Sequence, residues 1–135
     1  VDSDLSALVT AKRNAAKLNL EIDFRHGRWF DPVASERFEL VVANPPYIAE
    51  GDPHLAALCF EPRGALVAGP DGLDSIREIV QAAGVFLQPG GALLLEHGIG
   101  QDAAVRALLA TAGLESIATW PDLAGIARVS GATLK

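Results

Sequence analysis

The stretch FELVVANPPY at residues 38–47 contains the clearest strand signal in the sequence. Residues 40–43 are four consecutive apolar residues, a pattern typical of a parallel strand that is buried on both faces. Pro45 and Pro46 follow almost at once, and neither has a backbone N–H to donate to a neighbouring strand. The stretch therefore predicts a central parallel strand over residues 38–43, followed by the turn at residues 44–47.

The rest of the chain alternates between helix and strand patterns. Apolar residues with a period near 3.6 predict helices, and short apolar runs bounded by turn residues predict strands. The expected helices cover residues 3–19, 73–87 and 102–112, the further strands cover 20–25, 92–96, 115–120 and 128–134, and a long loop covers 48–72. This alternation predicts an α/β fold with a mostly parallel sheet. The two consecutive strands at the end predict an antiparallel C-terminal edge.

The composition excludes several classes of protein. The chain has 135 residues, of which 50% are hydrophobic, so we expect residues 1–135 to form a single folded domain and no disordered chain. No apolar run approaches the roughly 18 residues that a membrane span needs. The net charge of -6 argues against binding to nucleic acid mainly through phosphates. The single cysteine, Cys59, excludes an internal disulfide and a multi-cysteine metal site, and it favours a cytoplasmic location.

The turn Asn44-Pro45-Pro46-Tyr47 suits the methylation of a planar nitrogen. The lone pair of an amide or exocyclic amine is delocalised, so a site helps by placing two acceptors against the NH2 protons and aiming the lone pair at an electrophile. The side-chain oxygen of Asn44 and the backbone carbonyl of Pro45 are the two acceptors, and Tyr47 offers a flat face to the planar group. The alternative is a Pro-rich turn after a strand, in which Asn44 only caps the backbone.

Placed after a buried strand, this turn resembles the amino-methyltransferase signature of class I S-adenosylmethionine enzymes. Further motifs resemble the HemK/PrmC family, which methylates the glutamine of the Gly-Gly-Gln motif in peptide chain release factors. The motifs are NPPYIAEGDP (44–53), His54-Leu55, Phe60-Glu61-Pro62, Ala65-Leu66, GPDG (69–72), LLEHG (94–98), DLAG (122–125) and Arg128-Val129. The resemblance covers nearly the whole chain. It implies a Rossmann-like class I methyltransferase sheet, S-adenosylmethionine as cofactor and a release factor as partner.

The resemblance also implies roles for the residues near the substrate. Asn44 and the carbonyl of Pro45 are expected to hold the substrate amide as the catalytic pair. Pro46 and Tyr47 are expected to complete the pocket. Glu61, in the long loop, is expected near the peptide, with an exposed loop carboxylate as the alternative.

Three residues are implied at the cofactor. Asp2 matches the acidic residue that accepts from the ribose hydroxyls, although a helix N-cap is the simpler interpretation of an isolated Asp at this place. Trp29, together with Phe30, matches an aromatic pair beside the adenine, and a core position is the alternative. Asn44 is expected to contact the cofactor as well as the amide.

The sequence departs from the family pattern at three places. The family carries a Gly-x-Gly-x-Gly loop before the acidic residue, so we expect this chain to lack the first strand and the glycine-rich loop that would precede Asp2. Arg28 stands where the family has an Asp that accepts from the adenine amino group, and Arg has no acceptor. Residues 54–60 are also shorter than in typical members.

Two other functions stay open at this stage. The same turn serves nucleic-acid amino-methyltransferases, but the acidic balance and the lack of room for a target-recognition domain argue against adenine or cytosine as the substrate. The chain could also be a non-catalytic remnant of the fold. No membrane and no direct nucleic-acid partner is expected, and the oligomeric state is open.

Overall fold

The computed structural model describes residues 1–135, which divide into two compact units, 1–36 and 37–135. The helices are α1 (Leu5–Lys17), α2 (Asp74–Phe86) and α3 (Asp102–Thr111). The strands are β1 (Phe38–Ala43), β2 (Leu87–Glu96), β3 (Glu115–Pro121) and β4 (Ala127–Thr133). Short 3-10 helices lie at Asp31–Val33, Pro53–Leu58 and Arg63–Ala65. All three predicted helices are confirmed, as are four of the five predicted strands.

The first unit contains α1 and a later segment that pairs at His26 with Asp2, just before α1. Asp4 caps α1, because its Oδ1 accepts from the backbone N–H groups of Ser6 at 2.6 Å and Ala7 at 3.1 Å. A hydrogen bond from the Ser6 hydroxyl, together with these two backbone bonds, lowers the pKa of Asp4. The helix predicted over residues 3–19 therefore begins after Asp4.

The strand predicted at residues 20–25 is wrong. The nearest ladder contact is an isolated parallel bridge between Asp2 and His26, just after this segment, in which Asp2 N donates to Arg25 O and Gly27 N donates to Asp2 O. Leu20 and Ile22 are both exposed. A strand needs a neighbouring backbone over several residues, and this segment pairs at one position alone.

The second unit is a four-stranded mixed sheet in the order β1-β2-β4-β3. β1 and β2 are parallel, whereas β4 is antiparallel to both β2 and β3. Three strands therefore point the same way, and the fourth is inserted between the second and the third. This confirms the α/β class and the antiparallel C-terminal end of the sheet, with β3 as its outermost strand.

The prediction that β1 is buried on both faces is wrong for this chain. Val41 pairs with Leu93 and lies on the buried face, whereas Leu40 is 54% exposed and Val42 is 68% exposed on the opposite face. The reason lies in the packing, because α2 packs against β2 and α3 against β3 and β4, so neither helix of this unit packs closely against β1. An apolar run on both faces therefore identified the strand but not its place in the sheet.

The core of the second unit lies between the sheet and two helices. α2 packs against β2, and α3 packs against β3 and β4. The fully or almost fully buried side chains are Ile76, Ile79, Val80 and Ala83 from α2, Val105 and Leu109 from α3, and Leu93 and Leu95 from β2. Burial of each large aliphatic side chain contributes about 1.5–3 kcal/mol. Packing in the core therefore fixes the position of β2, including its carboxyl end.

β2 begins earlier than predicted, at Leu87. Phe38 pairs with Leu87 and Leu40 pairs with Ala92, so residues 88–91 form a bulge inside the strand. A side chain on Gly91 would lie 2.8 Å from the carbonyl oxygen of Phe38. The sequence Pro89-Gly90-Gly91 thus accommodates a bulge within the strand.

Candidate functional site

The turn after β1 is the centre of the candidate site. Asn44 is exposed, Pro45 is buried, and Pro46 and Tyr47 are half-buried. All peptide bonds of the chain are trans. The structure thus places the four residues at the carboxyl end of a parallel strand, where ligands bind in open α/β sheets. Because Pro45 is buried and Asn44 is not, the turn is anchored while its amide side chain faces outward.

Tyr47 is held at its hydroxyl and its ring by two residues from β2 and β4. Arg128 Nη2 donates to the Tyr47 hydroxyl at 2.8 Å, and the guanidinium carbon lies 5.2 Å from the ring centroid. Glu96 Oε1 lies 3.4 Å from both the Tyr47 hydroxyl and Arg128 Nη2. The charged pair and the cation–π contact together restrain the aromatic residue of the turn.

Gln101 holds the backbone of the same residue. Its Nε2 donates to the carbonyls of Tyr47 at 3.1 Å and Asp71 at 3.2 Å, while its Oε1 accepts from Gly98 N at 2.7 Å. An amide can do this because it carries both donors and an acceptor. Gln101 thereby connects the turn after β1, the end of the long loop and the turn after β2. Sequence reasoning missed it, and its place three residues after the strand-end glycine was the only signal.

The long loop at 48–72 is less irregular than predicted. Ile48 forms an isolated parallel bridge with Val67, in which Ile48 N donates to Leu66 O and Ala68 N donates to Ile48 O, both at 2.9 Å. Gly72 has a φ of 75°, and a side chain there would collide with the Tyr47 carbonyl. The loop therefore folds back against the residues that follow the turn.

An ion pair fixes the junction between this loop and α2. Arg77 Nη2 donates to Asp71 Oδ2 at 2.5 Å and Nη1 donates to Asp71 Oδ1 at 2.9 Å, while Nη1 also reaches Asp74 at 2.8 Å. The hydrogen bonds from Arg77 lower the pKa of Asp71 to about 2, and the same contacts raise the pKa of Arg77. The pair is largely exposed, so its role is to hold the loop end in place.

A buried polar chain joins the strands behind the site. His97 is fully buried, with Nδ1 3.0 Å from Gly98 O and Nε2 3.0 Å from Ser130 Oγ. Ser130 Oγ is also 2.7 Å from Thr119 Oγ1. A carbonyl can only accept, so Nδ1 donates, and in the neutral ring Nε2 then accepts from Ser130. This chain links β2, β4 and β3, as expected for a structural histidine.

Glu61 is not brought into these networks. It is exposed, and its backbone N–H donates to Leu58 O at 3.0 Å, which forms a turn after the 3-10 helix Pro53–Leu58. Its neighbour Phe60 is 97% exposed. The structure shows no hydrogen bond between the side chain of Glu61 and the turn after β1. Its role at the peptide therefore stays a prediction.

Two of the three residues expected at the cofactor, Asp2 and Trp29, lie in the first unit. Asp2 is exposed, and its Oδ1 accepts from Asp4 N at 2.8 Å. The helix cap is Asp4, so the alternative interpretation of Asp2 as the cap is wrong. Trp29 is half-buried with a φ of 46°, and the guanidinium carbon of Arg28 lies 5.0 Å from its ring centroid. An exposed carboxylate is the kind of acceptor that ribose hydroxyls bind, so Asp2 fits this role chemically.

Both long helices have 13 residues, and no helix combines the length and the apolar character that a membrane span requires.

Against families of known proteins, residues 1–60 match the family described as methyltransferase small domain. These residues include α1, β1 and the turn Asn44–Tyr47.

Solved structures share the fold at low sequence identity. A methyltransferase from Pyrococcus furiosus superimposes with a TM-score of 0.70 at 14% identity, over 96% of this chain and 58% of the other. A 16S rRNA methyltransferase from T. thermophilus, solved with AdoMet and guanosine, gives a TM-score of 0.67 at 20% identity, over 98% of this chain and 30% of the other. These likenesses confirm the Rossmann-like methyltransferase sheet.

Much closer relatives in sequence are release factor glutamine methyltransferases. The protein of that name from Xylella fastidiosa (strain Temecula1) is 50% identical over 132 residues, which are 96% of this chain and 48% of the relative. The one from Neisseria gonorrhoeae is 50% identical over 134 residues, which are 95% of this chain and 49% of the relative. The chain thus spans about half the length of these relatives. This segment is therefore similar in sequence to about half of a release factor glutamine methyltransferase.

Proposed function

We propose that this chain contributes to methyl transfer from S-adenosylmethionine to the side-chain amide nitrogen of a glutamine in a peptide chain release factor. The observation that carries the proposal is the turn Asn44–Tyr47, anchored at the carboxyl end of β1 with the Asn44 side chain exposed. The relatives' names supply the substrate class. The partner is accordingly a release factor, and we further propose the cytoplasm as the place of action.

Asn44 and Pro45 act on the substrate amide. The Asn44 side-chain oxygen and the Pro45 carbonyl each accept a hydrogen bond from one N–H of the NH2 group. These bonds orient the nitrogen and raise the electron density on it. Proline contributes by rigidity, because its fixed φ holds the accepting carbonyls in one arrangement. When bound, S-adenosylmethionine supplies a methyl group on a positively charged sulfur. After transfer the nitrogen gives up one proton to solvent.

The remaining site residues have supporting roles in this proposal. Pro46 and Tyr47 form the wall of the amide pocket, with the Tyr47 ring as a flat surface for the planar group. Glu61 contacts the peptide that carries the glutamine. Asp2 accepts from the ribose hydroxyls of the cofactor, and Trp29 lies beside the adenine. Asn44 contacts the cofactor in addition to the amide.

The test is methyl transfer from radiolabelled S-adenosylmethionine, with a release factor and a duplex oligonucleotide offered in parallel. We expect label in the release factor alone, because a net charge of -6 disfavours the duplex. Label in the oligonucleotide would favour the amino-methyltransferase that acts on nucleic acid. Isothermal titration with S-adenosylmethionine that gives no heat at millimolar ligand, together with no transfer, would support the non-catalytic remnant.

The role of Asn44 has its own matched pair of variants. Asn44→Ala removes one of the two acceptors, and we expect transfer to fall at least about 100-fold, as for the loss of one well-placed polar group at a reacting centre. Asn14→Ala changes an exposed asparagine on α1 and should leave the rate unchanged. An Asn44→Ala rate equal to that of Asn14→Ala would rule out the two-acceptor mechanism.

A further inference from the structure

The aromatic residue of the turn is restrained by groups that lie far from it in the sequence. Arg128, on β4, donates to the Tyr47 hydroxyl at 2.8 Å and lies over the ring, with 5.2 Å between the guanidinium carbon and the centroid. Glu96, at the end of β2, has Oε1 3.4 Å from both partners. The side chains of Arg128 and Glu96 are 22% and 35% exposed, so both are partly shielded from water.

The contact with Arg128 affects which face of the Tyr47 ring a planar ligand can use. The guanidinium of Arg128 lies over the Tyr47 ring, so we expect a planar amide to stack on the opposite face. The hydroxyl is bound as well, so rotation about the side-chain bonds would break a charge-assisted hydrogen bond. The backbone of Tyr47 is held independently, through Gln101. Tyr47 is therefore restrained both at its hydroxyl and at its backbone.

We propose that Arg128 and Glu96 are positioning residues, which fix the side-chain rotamer of Tyr47 so that a single ring face is presented to the substrate amide. This inference rests on the proposed function for the identity of the planar group. Neither residue needs to touch the substrate. Their effect is transmitted through Tyr47, so it should appear in the geometry of that side chain whether or not transfer is measured.

The first experiment reads the Tyr47 rotamer directly. Tyr47 is the single tyrosine of the chain, so tyrosine labelled with 13C and 15N gives one set of NMR signals. In the unaltered protein we expect the three-bond couplings from Cγ to the backbone nitrogen and carbonyl carbon to report one rotamer. Arg128→Gln should average them, and Arg128→Lys, which keeps one donor but lacks the planar fork, should give intermediate values. Couplings in Arg128→Gln that match the unaltered protein would overturn the proposal.

Two further variants make the measurement independent of one substitution. Glu96→Ala removes the shared acceptor from the other strand, so averaging is expected there even if Arg128→Gln does not fold. Arg106→Gln is the matched control, because Arg106 pairs with Asp102 on the surface of α3 at 3.7 Å and makes no contact with Tyr47. Averaged couplings in the Arg106→Gln protein would show a general loosening of the fold and would contradict a specific role for Arg128.

The second experiment asks whether the rotamer matters for transfer. We expect Arg128→Gln to lower kcat/KM for the release factor at least about ten-fold, since misplacement of a contacting group weakens alignment, while the Kd for S-adenosylmethionine stays unchanged. Averaged couplings with unchanged kcat/KM would overturn the positioning role. If the unaltered protein transfers no methyl group, the proposed function fails, and the coupling measurement alone decides this inference.

Discussion

Replacing Ser130 by alanine should destabilise the sheet unit more than any other small change at a polar residue. The Ser130 hydroxyl bonds to His97 Nε2 at 3.0 Å and to Thr119 Oγ1 at 2.7 Å, and both Ser130 and His97 are fully buried. Alanine removes both bonds and leaves the ring nitrogen without a partner in a place that water does not reach. An unsatisfied buried group costs about 1–3 kcal/mol, and the lost bond to Thr119 adds about 1 kcal/mol.

We therefore expect Ser130→Ala to lower the free energy of unfolding by about 2–4 kcal/mol. For a chain of 135 residues, 1 kcal/mol corresponds to about 4 °C in Tm, so the expected decrease is roughly 8–16 °C. The measurement is thermal unfolding followed by circular dichroism, with urea unfolding for the free energy. Ser35→Ala, at an exposed serine, is the control and should shift Tm by no more than about 2 °C.

A double-mutant cycle tests whether the chain of hydroxyls acts as a unit. Thr119→Val keeps the shape of Thr119 and removes its hydroxyl, so its effect should overlap with that of Ser130→Ala. We expect a coupling of about 0.5–1.5 kcal/mol between the two changes. If Ser130→Ala is no more destabilising than Ser35→Ala, or if the two effects add fully, then the polar chain does not stabilise this sheet as argued.

Three other changes have definite expected outcomes. Gly72→Ala should lower the free energy of unfolding, measured by urea unfolding, by about 1–3 kcal/mol, because φ is positive and the added side chain meets the Tyr47 carbonyl. Gly64→Ala, with open space around the residue, should have little effect. Gln101→Ala should speed proteolytic cleavage within residues 48–72, and an unchanged cleavage rate would show that the loop is held by other contacts. Asp71 has a folded pKa of about 2 against 3.8 for the free side chain, so its pairing with Arg77 stabilises the fold above pH 4 and this contribution is lost as pH falls towards 2. Urea unfolding at pH 6 and pH 2.5 should show Asp71→Asn less stable than the unaltered protein at the higher pH and close to it at the lower.

The local elements of the fold could be predicted because their signals are local. The period of α2 and α3, the apolar run of β1 and the proline pair after it are all contained within a few residues. The strand expected at 20–25 failed because alternation predicts an extended chain but cannot supply a neighbour to pair with. The burial expected for Leu40 and Val42 failed for a similar reason, since exposure depends on which elements pack over each face of the strand.

In the candidate site as well, the residues that are adjacent in the sequence could be predicted and those that are distant could not. Asn44 to Tyr47 form a recognisable pattern because four adjacent residues carry the acceptors and the aromatic ring. The groups that support Tyr47 lie 49, 54 and 81 residues further along the chain, at Glu96, Gln101 and Arg128. No single-sequence pattern pairs residues across such separations, and Glu96 and Arg128 are brought together by the register of β2 with β4.

That register explains why the supporting residues can meet at all. Glu96 pairs with Val129 across the antiparallel ladder, so Arg128, one residue before Val129, is brought to the carboxyl end of β2. A shift of β4 by one residue would turn Arg128 to the other face of the sheet and move Ser130 away from His97. The buried hydroxyl chain and the clamp on Tyr47 therefore depend on the same strand register. This predicts that weakening the former, as in Ser130→Ala, should also loosen the Tyr47 rotamer in the labelled protein, although Ser130 does not contact the tyrosine. Unchanged Tyr47 couplings in Ser130→Ala would show that the two features are independent.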